Sequence, residues 1–122
     1  MKKILIIDDE EQFCYITKLN LEDTGDFEIH ICTDSADAIR QAKQLQPDLI
    51  LLDIVMPGIS GTDIAQELKN GEDTQKIPIV FLTGLITKEE AENRQHFTGG
   101  DYIVSKPIET NQLINIIDRL TS

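Results

Sequence analysis

Residues 48–58 read DLILLDIVMPG. Four apolar residues, Leu49 to Leu52, run straight into Asp53, and apolar side chains resume before Met56-Pro57-Gly58 closes the segment. A short continuous apolar run of this kind, bounded by turn residues, predicts a strand over Asp48–Leu52 that is buried on both faces, as in a parallel sheet. A carboxylate at its end loses hydration, and a buried charge without partners is expensive enough to take up a proton instead. Asp53 therefore needs compensation from the rest of the fold.

The same design recurs along the chain. Lys3–Ile7 (KILII) ends at Asp8-Asp9, Ile77–Leu82 (IPIVFL) ends at Thr83, and Tyr102–Val104 (YIV) leads to Ser105-Lys106-Pro107. Phe27–Cys32 (FEIHIC) differs, because Phe27, Ile29 and Ile31 alternate with Glu28 and His30, a pattern that predicts an edge strand. Helical patterns separate these strands. Leu113, Ile116, Ile117 and Leu120 recur at i, i+3, i+4 and i+7, and Ala38, Ala42 and Leu45 form a stripe that stops at Pro47. Ser60-Gly-Thr-Asp63 resembles a capping box that opens a helix through Ile64 and Leu68. The first helix, from about Glu10 to Asp23, carries Phe13, Ile16, Leu19 and Leu21 as its apolar face. Thr87-Lys-Glu-Glu90 opens a fourth predicted helix with only Ala91 and Phe97 as apolar residues, so packing holds it weakly. Gly71–Lys76 (GEDTQK) reads as an exposed loop.

Five β-α alternations in 122 residues predict one α/β domain: a doubly wound, five-stranded parallel sheet in the order 2-1-3-4-5, flavodoxin-like, with helices on both faces. The composition, 40% hydrophobic and 27% charged, is that of an ordinary globular protein. No apolar run approaches the roughly 20 residues of a membrane span, and Met1-Lys2-Lys3 leads into strand rather than a secretory leader, so the expected setting is cytoplasmic, without a membrane partner. Cys14 and Cys32 lack metal or redox spacing and read as small buried residues. His30 and His96 read as surface residues. With 22 acidic against 11 basic residues the net charge is −11, which repels a phosphate backbone and argues against direct nucleic-acid binding.

In a sheet of this order ligands bind outside the carboxyl ends of the strands, where the order reverses. The first and third strands are neighbours there, so Asp8, Asp9 and Asp53 converge, with Thr83 and Lys106 on the next strands. Like charges about 4 Å apart repel by about 4 kcal/mol at an effective dielectric near 20. A divalent cation removes that penalty, and an all-oxygen donor set without thiol or imidazole suits Mg²⁺ better than zinc. A carboxylate beside Mg²⁺, with a lysine to neutralise further negative charge and a hydroxyl to donate, is equipped for phosphoryl transfer, with Asp53 as nucleophile.

Taken together, KILIIDDE, LILLDIVMPGISG, PIVFLTG and GGDYIVSKPI, in this order and spacing, resemble the receiver domain of two-component response regulators over essentially the whole chain. The resemblance implies Asp53 as phosphoacceptor, Asp9 as a direct Mg²⁺ ligand, Asp8 as a ligand through water and Val55 as donor of a backbone carbonyl. It implies Thr83 as the switch hydroxyl, Gly84 as the small residue beside the phosphoryl group, Lys106 as its cationic partner and a cis Lys106–Pro107 bond. Val55 and Leu85 would flank the phosphoryl group and tune its hydrolysis. One position departs from the pattern: the switch aromatic usually lies three residues before the lysine, and here Ile103 stands there while Tyr102 precedes it. Strand alternation points the two to opposite faces.

The expected function is that of a receiver with no output domain in this chain, either standing alone or cut from a longer regulator. It would take a phosphoryl group from a sensor histidine kinase or histidine phosphotransfer protein and switch its surface at the fourth predicted helix, the fifth strand and the fifth predicted helix. It would act as a signalling protein rather than an enzyme, on a downstream protein target or as a homodimer. Two rivals fit less well. A haloacid-dehalogenase-like phosphatase with Asp8 as nucleophile requires Asp-x-Asp, and Glu10 stands at the second position. A flavodoxin-like nucleotide-binding module requires a Gly-rich loop after the first strand, where this chain has acids.

Overall fold

A computed structural model describes residues 1–84 and 102–121. Five strands form one parallel sheet: β1 (Lys2–Ile7), β2 (Phe27–Cys32), β3 (Leu49–Asp53), β4 (Ile79–Thr83) and β5 (Tyr102–Ser105). Their order is β2-β1-β3-β4-β5, as the alternation predicts. Between and after them lie α1 (Glu11–Glu22), α2 (Ala38–Leu45) behind a short 3₁₀ turn at Ser35–Asp37, α3 (Gly61–Asn70) and α4 (Thr110–Thr121). The helix predicted to open at Thr87–Glu90, with Leu85, Ala91, His96 and Phe97, lies outside the described residues. No helix among the described residues is long and apolar enough to cross a membrane.

β1, β3 and β4 are central strands, and the side chains from Ile4 to Ile7, Leu49 to Leu52 and Ile79 to Leu82 are all buried. Alternation divides them between two layers. Leu5, Ile7, Ile50, Leu52, Ile79, Phe81 and Ile103 pack against Ala38, Ala42, Ile64, Ala65 and Leu68 of α2 and α3. Ile4, Ile6, Leu49, Leu51, Val80 and Leu82 pack against Cys14, Leu21, Leu113 and Ile117 of α1 and α4. Edge strand β2 buries Phe27 and Ile29 and leaves Glu28 exposed. His30 at this edge sets Nε2 2.6 Å from Glu28 Oε2. Both cysteines are free and buried.

Two local expectations change. The buried side of α1 is Cys14, Thr17 and Leu21, with Phe13 partly covered, whereas Ile16 and Leu19 are 55% and 52% exposed. At about 100° per residue Ile16 and Leu19 project opposite to Leu21, so the apolar count misplaced the face. Within Gly71–Lys76, Thr74 is buried: its hydroxyl donates at 2.7 Å to the Leu68 carbonyl at the end of α3, which also accepts the Gly71 N–H at 3.2 Å. The start of α3 follows expectation, with Ser60 Oγ accepting the Asp63 N–H at 3.3 Å.

Candidate functional site at the carboxyl edge of the sheet

The parallel register brings the polar strand ends to one edge. Asp53 ends β3 beside Leu82, Thr83 ends β4 beside Ser105, and Asp8 follows Ile7 directly, its N–H donating to the Cys32 carbonyl at 3.0 Å. Asp8, Asp53 and Thr83 are all buried. The loop after β5 turns through a cis Lys106–Pro107 bond, and the Lys106 N–H donates to the Thr83 carbonyl at 2.8 Å.

Lys106 supplies part of the compensation that Asp53 requires. Its side chain is 9% exposed, with Nζ 2.6 Å from Asp8 Oδ2, 2.8 Å from Glu10 Oε1 and 3.8 Å from Asp53 Oδ1. The Phe13 ring lies under the ammonium, 4.5 Å from centroid to Nζ, and so replaces lost water with a favourable quadrupole. Burial works against the ammonium's charge, but the carboxylates of Asp8, Glu10 and Asp53 outweigh it and hold the lysine pKa above its usual range.

Asp53 remains under strain as an anion. Burial first, then the neighbouring Asp8 charge, push its pKa up to about 6, while Lys106 and the Val55 backbone N–H pull in the other direction. Cys14, whose thiol donates to the Asp8 carbonyl at 3.4 Å, is pushed up to about 12 by burial and then by Asp8. One lysine thus faces more negative charge than it neutralises.

Carboxylate oxygens of Asp8, Glu10 and Asp53 lie within 4.8 Å of one another. This spacing and an all-oxygen donor set fit a divalent cation of the Mg²⁺ type. The grouping includes Glu10, where the sequence reading put Asp9. Asp9 is exposed, though its charge is felt at Asp53, where it also raises the pKa. Glu10 is positioned by its own N–H, which donates to Asp8 Oδ1 at 3.0 Å. Glu10 and Phe13 are the residues that sequence reasoning missed. The acidic triplet Asp8-Asp9-Glu10 was a signal for the first, whereas Phe13 read only as core.

The remaining expected residues take different places. Val55 is 54% exposed beside the site, and Gly84 is exposed with open space where a Cβ would stand. Ile103 packs into the α2/α3 layer with Phe81. Tyr102 faces the α1/α4 layer, where its hydroxyl accepts from Arg119 Nη1 at 3.0 Å. Strand alternation therefore separates the aromatic from the face that Ile103 occupies.

The loop after Asp53 is tightly set. Gly58 adopts φ +88°, a conformation that favours glycine. A Cβ on Gly61 would stand 2.0 Å from the Asp53 carbonyl oxygen and 2.8 Å from Ile54 Cα, so the start of α3 can sit on the strand end only as glycine.

The response regulator receiver domain family matches residues 4–118. The chain is 34% identical over 115 residues to the phosphate regulon transcriptional regulatory protein PhoB of Rhizobium meliloti, covering 93% of this chain and 49% of that protein. It is 31% identical over 118 residues to response regulator Rre1 of Synechocystis, covering 96% and 50%. The chain thus spans about half the length of these relatives. A response regulator structure from Desulfuromonas acetoxidans superposes with a TM-score of 0.84 at 28% identity, over 98% of this chain and 96% of that one. The chain belongs to the response regulator receiver domain family, the phosphoacceptor modules of two-component signal transduction.

Proposed function

We propose that Asp53 is the phosphoacceptor and that the donor is a phosphohistidine on a sensor kinase or phosphotransfer protein. The observation that carries this reading is the placement of a buried carboxylate, raised in pKa to about 6, beside a buried lysine 3.8 Å away at the open edge of the sheet. An Asp53 oxygen attacks phosphorus, the P–O bond forms, and the P–N bond to the partner's imidazole breaks. The imidazole nitrogen keeps the bonding pair, and the phosphoryl group remains on Asp53 as an acyl phosphate.

Lys106 neutralises phosphoryl oxygens, and the Phe13 ring beneath it keeps the ammonium at the site. The Thr83 hydroxyl and the Gly84 backbone donate to the transferred group, and Val55 borders it and limits the approach of water. Asp8 and Asp53 would hold Mg²⁺ together with an acid following Asp8: Asp9 by family resemblance, Glu10 by its position in the carboxylate group. The Val55 carbonyl would complete the protein ligands. When bound, the cation offsets the repulsion among the carboxylates and the charge of the incoming phosphoryl group. The acyl phosphate then shifts Thr83 and the surface formed by β5 and α4, where a downstream protein target or a second copy of the chain reads the change.

Incubation with acetyl phosphate, with and without Mg²⁺, followed by intact-mass measurement tests the assignment. The wild type gains one phosphoryl group when Mg²⁺ is present, and Asp53→Asn gains none. Equal labelling of both proteins would remove Asp53 from the role.

A further inference from the structure

The segment between Asp53 and α3 carries the backbone at Val55, yet it is a loop rather than a strand or helix. Backbone bonds anchor its two ends. Ile54 N–H donates to the Leu82 carbonyl at 3.1 Å, and Gly61 N–H donates to the Ile54 carbonyl at 2.9 Å. Its middle is held from elsewhere in the fold. Ser35, in the 3₁₀ turn after β2, is 7% exposed and sends its hydroxyl between Pro57 and Ile59. Ser35 Oγ donates to the Pro57 carbonyl at 2.9 Å and accepts the Ile59 N–H at 3.1 Å. One hydroxyl therefore satisfies two backbone groups across Gly58, whose missing Cβ would otherwise stand 2.9 Å from that oxygen.

Ser35 is itself fixed. The Asp34 side chain accepts the Ala36 N–H at 3.0 Å, and the Asp34 carbonyl accepts from Cys32 Sγ at 3.2 Å. The Cys32 carbonyl in turn receives the Asp8 N–H at 3.0 Å. A continuous run of bonds thus leads from Asp8, through the end of β2, to the loop that follows Asp53. A buried hydroxyl with both functions satisfied by one loop rigidifies that loop, because losing it takes a partner from both the Pro57 carbonyl and the Ile59 N–H, whose bonds to it are partly buried.

We propose that Ser35 is a positioning residue for the phosphoacceptor site. It clamps residues 57–59, so that the backbone after Asp53 is held ready for the cation and the phosphoryl group. The proposal rests on the reading of Asp53 as phosphoacceptor only for its activity arm.

Three measurements on the intact chain test it: amide exchange at Ile59 without metal, Mg²⁺ affinity from amide chemical shifts, and the rate of labelling by acetyl phosphate at saturating Mg²⁺. Ser35→Ala is expected to speed Ile59 exchange about five- to tenfold and to weaken Mg²⁺ binding about three- to tenfold. Ser35→Thr, which keeps the hydroxyl, is expected to restore both. The labelling rate is expected to follow the Mg²⁺ affinity rather than the thermal stability of the variants. Unchanged Ile59 exchange or unchanged Mg²⁺ affinity in folded Ser35→Ala would overturn the clamp, as would a loss of affinity that Ser35→Thr fails to restore. If the wild type binds Mg²⁺ but takes no phosphoryl group, the reading of Asp53 fails while the clamp is still judged by exchange and affinity.

Discussion

Tyr102 and Ile103 are adjacent on β5 and serve opposite layers: Ile103 packs with Phe81 against the α2/α3 side, and Tyr102 reaches Arg119 of α4. Removing the Tyr102 hydroxyl should therefore disturb only an exposed bond. Tyr102→Phe is expected to change unfolding free energy by less than about 1 kcal/mol and to leave the phosphorylation rate as it is. Ile103→Ala empties a buried position and should cost about 2–4 kcal/mol. Denaturant unfolding of the two variants checks this, and a large phosphorylation defect in Tyr102→Phe would contradict the separation of faces.

The raised pKa of Asp53 makes stability depend on pH in a defined direction. Its folded value of about 6 lies above the ordinary 3.8, so between these values the folded chain holds a proton that the unfolded chain has released. That contribution is fully present below about pH 4 and disappears as pH rises through about 6. Asp53→Asn should accordingly be more stable than wild type at pH 7, by about 1–3 kcal/mol, and the difference should close near pH 4. Thermal melts across this range, without Mg²⁺, would show it. A gain that is independent of pH would point away from Asp53.

Lys106 is the cation that balances Asp8 and Asp53, both nearly excluded from water. Breaking such an arrangement by removing one partner is typically worth about 3–5 kcal/mol. Lys106→Met should lose stability of that order at pH 7, and Mg²⁺ should restore part of it by supplying positive charge to the same oxygens. Urea unfolding at several Mg²⁺ concentrations measures both effects.

Asp9 and Glu10 are the two candidates for one place in the proposed metal site. If the oxygen grouping of Asp8, Glu10 and Asp53 is the one that receives the cation, Glu10→Gln weakens Mg²⁺ binding about tenfold or more and Asp9→Asn does so less. The reverse ranking, read by titration of each variant, would favour Asp9 as the direct ligand.

Cys14 is buried and its thiol is pushed up to about 12, so little thiolate exists at neutral pH. Thiol reagents at pH 8 should label Cys14 only at the rate at which the chain opens. Rapid labelling of the folded protein would contradict its placement under Asp8.

The strands were legible because their signal is local: an apolar run that stops at a polar residue. Asp8, Asp53, Thr83 and Lys106 could then be brought to one edge by topology alone. Glu10 and Phe13 could not, since their roles depend on how α1 leaves β1 and on Lys106, which is 96 positions from Glu10. The face of α1 was misread for a related reason. Thr17 does not look like a core residue in a list of apolar positions, yet it is buried on the same side as Cys14, while Ile16 and Leu19 remain outside. Thr74 was missed because its burial answers a helix carbonyl rather than a hydrophobic pattern.

Gly61 bears on how this chain can vary. Any side chain there would collide with the main chain of Asp53 itself, at a distance no rotamer can relieve. The aim of Asp53, the proposed nucleophile, is thus set partly by an atom that is missing, eight positions further along. Mutational drift at position 61 would register as lost phosphorylation long before it registered as a damaged helix, and a scan of tolerated substitutions should find that position as intolerant as Asp53.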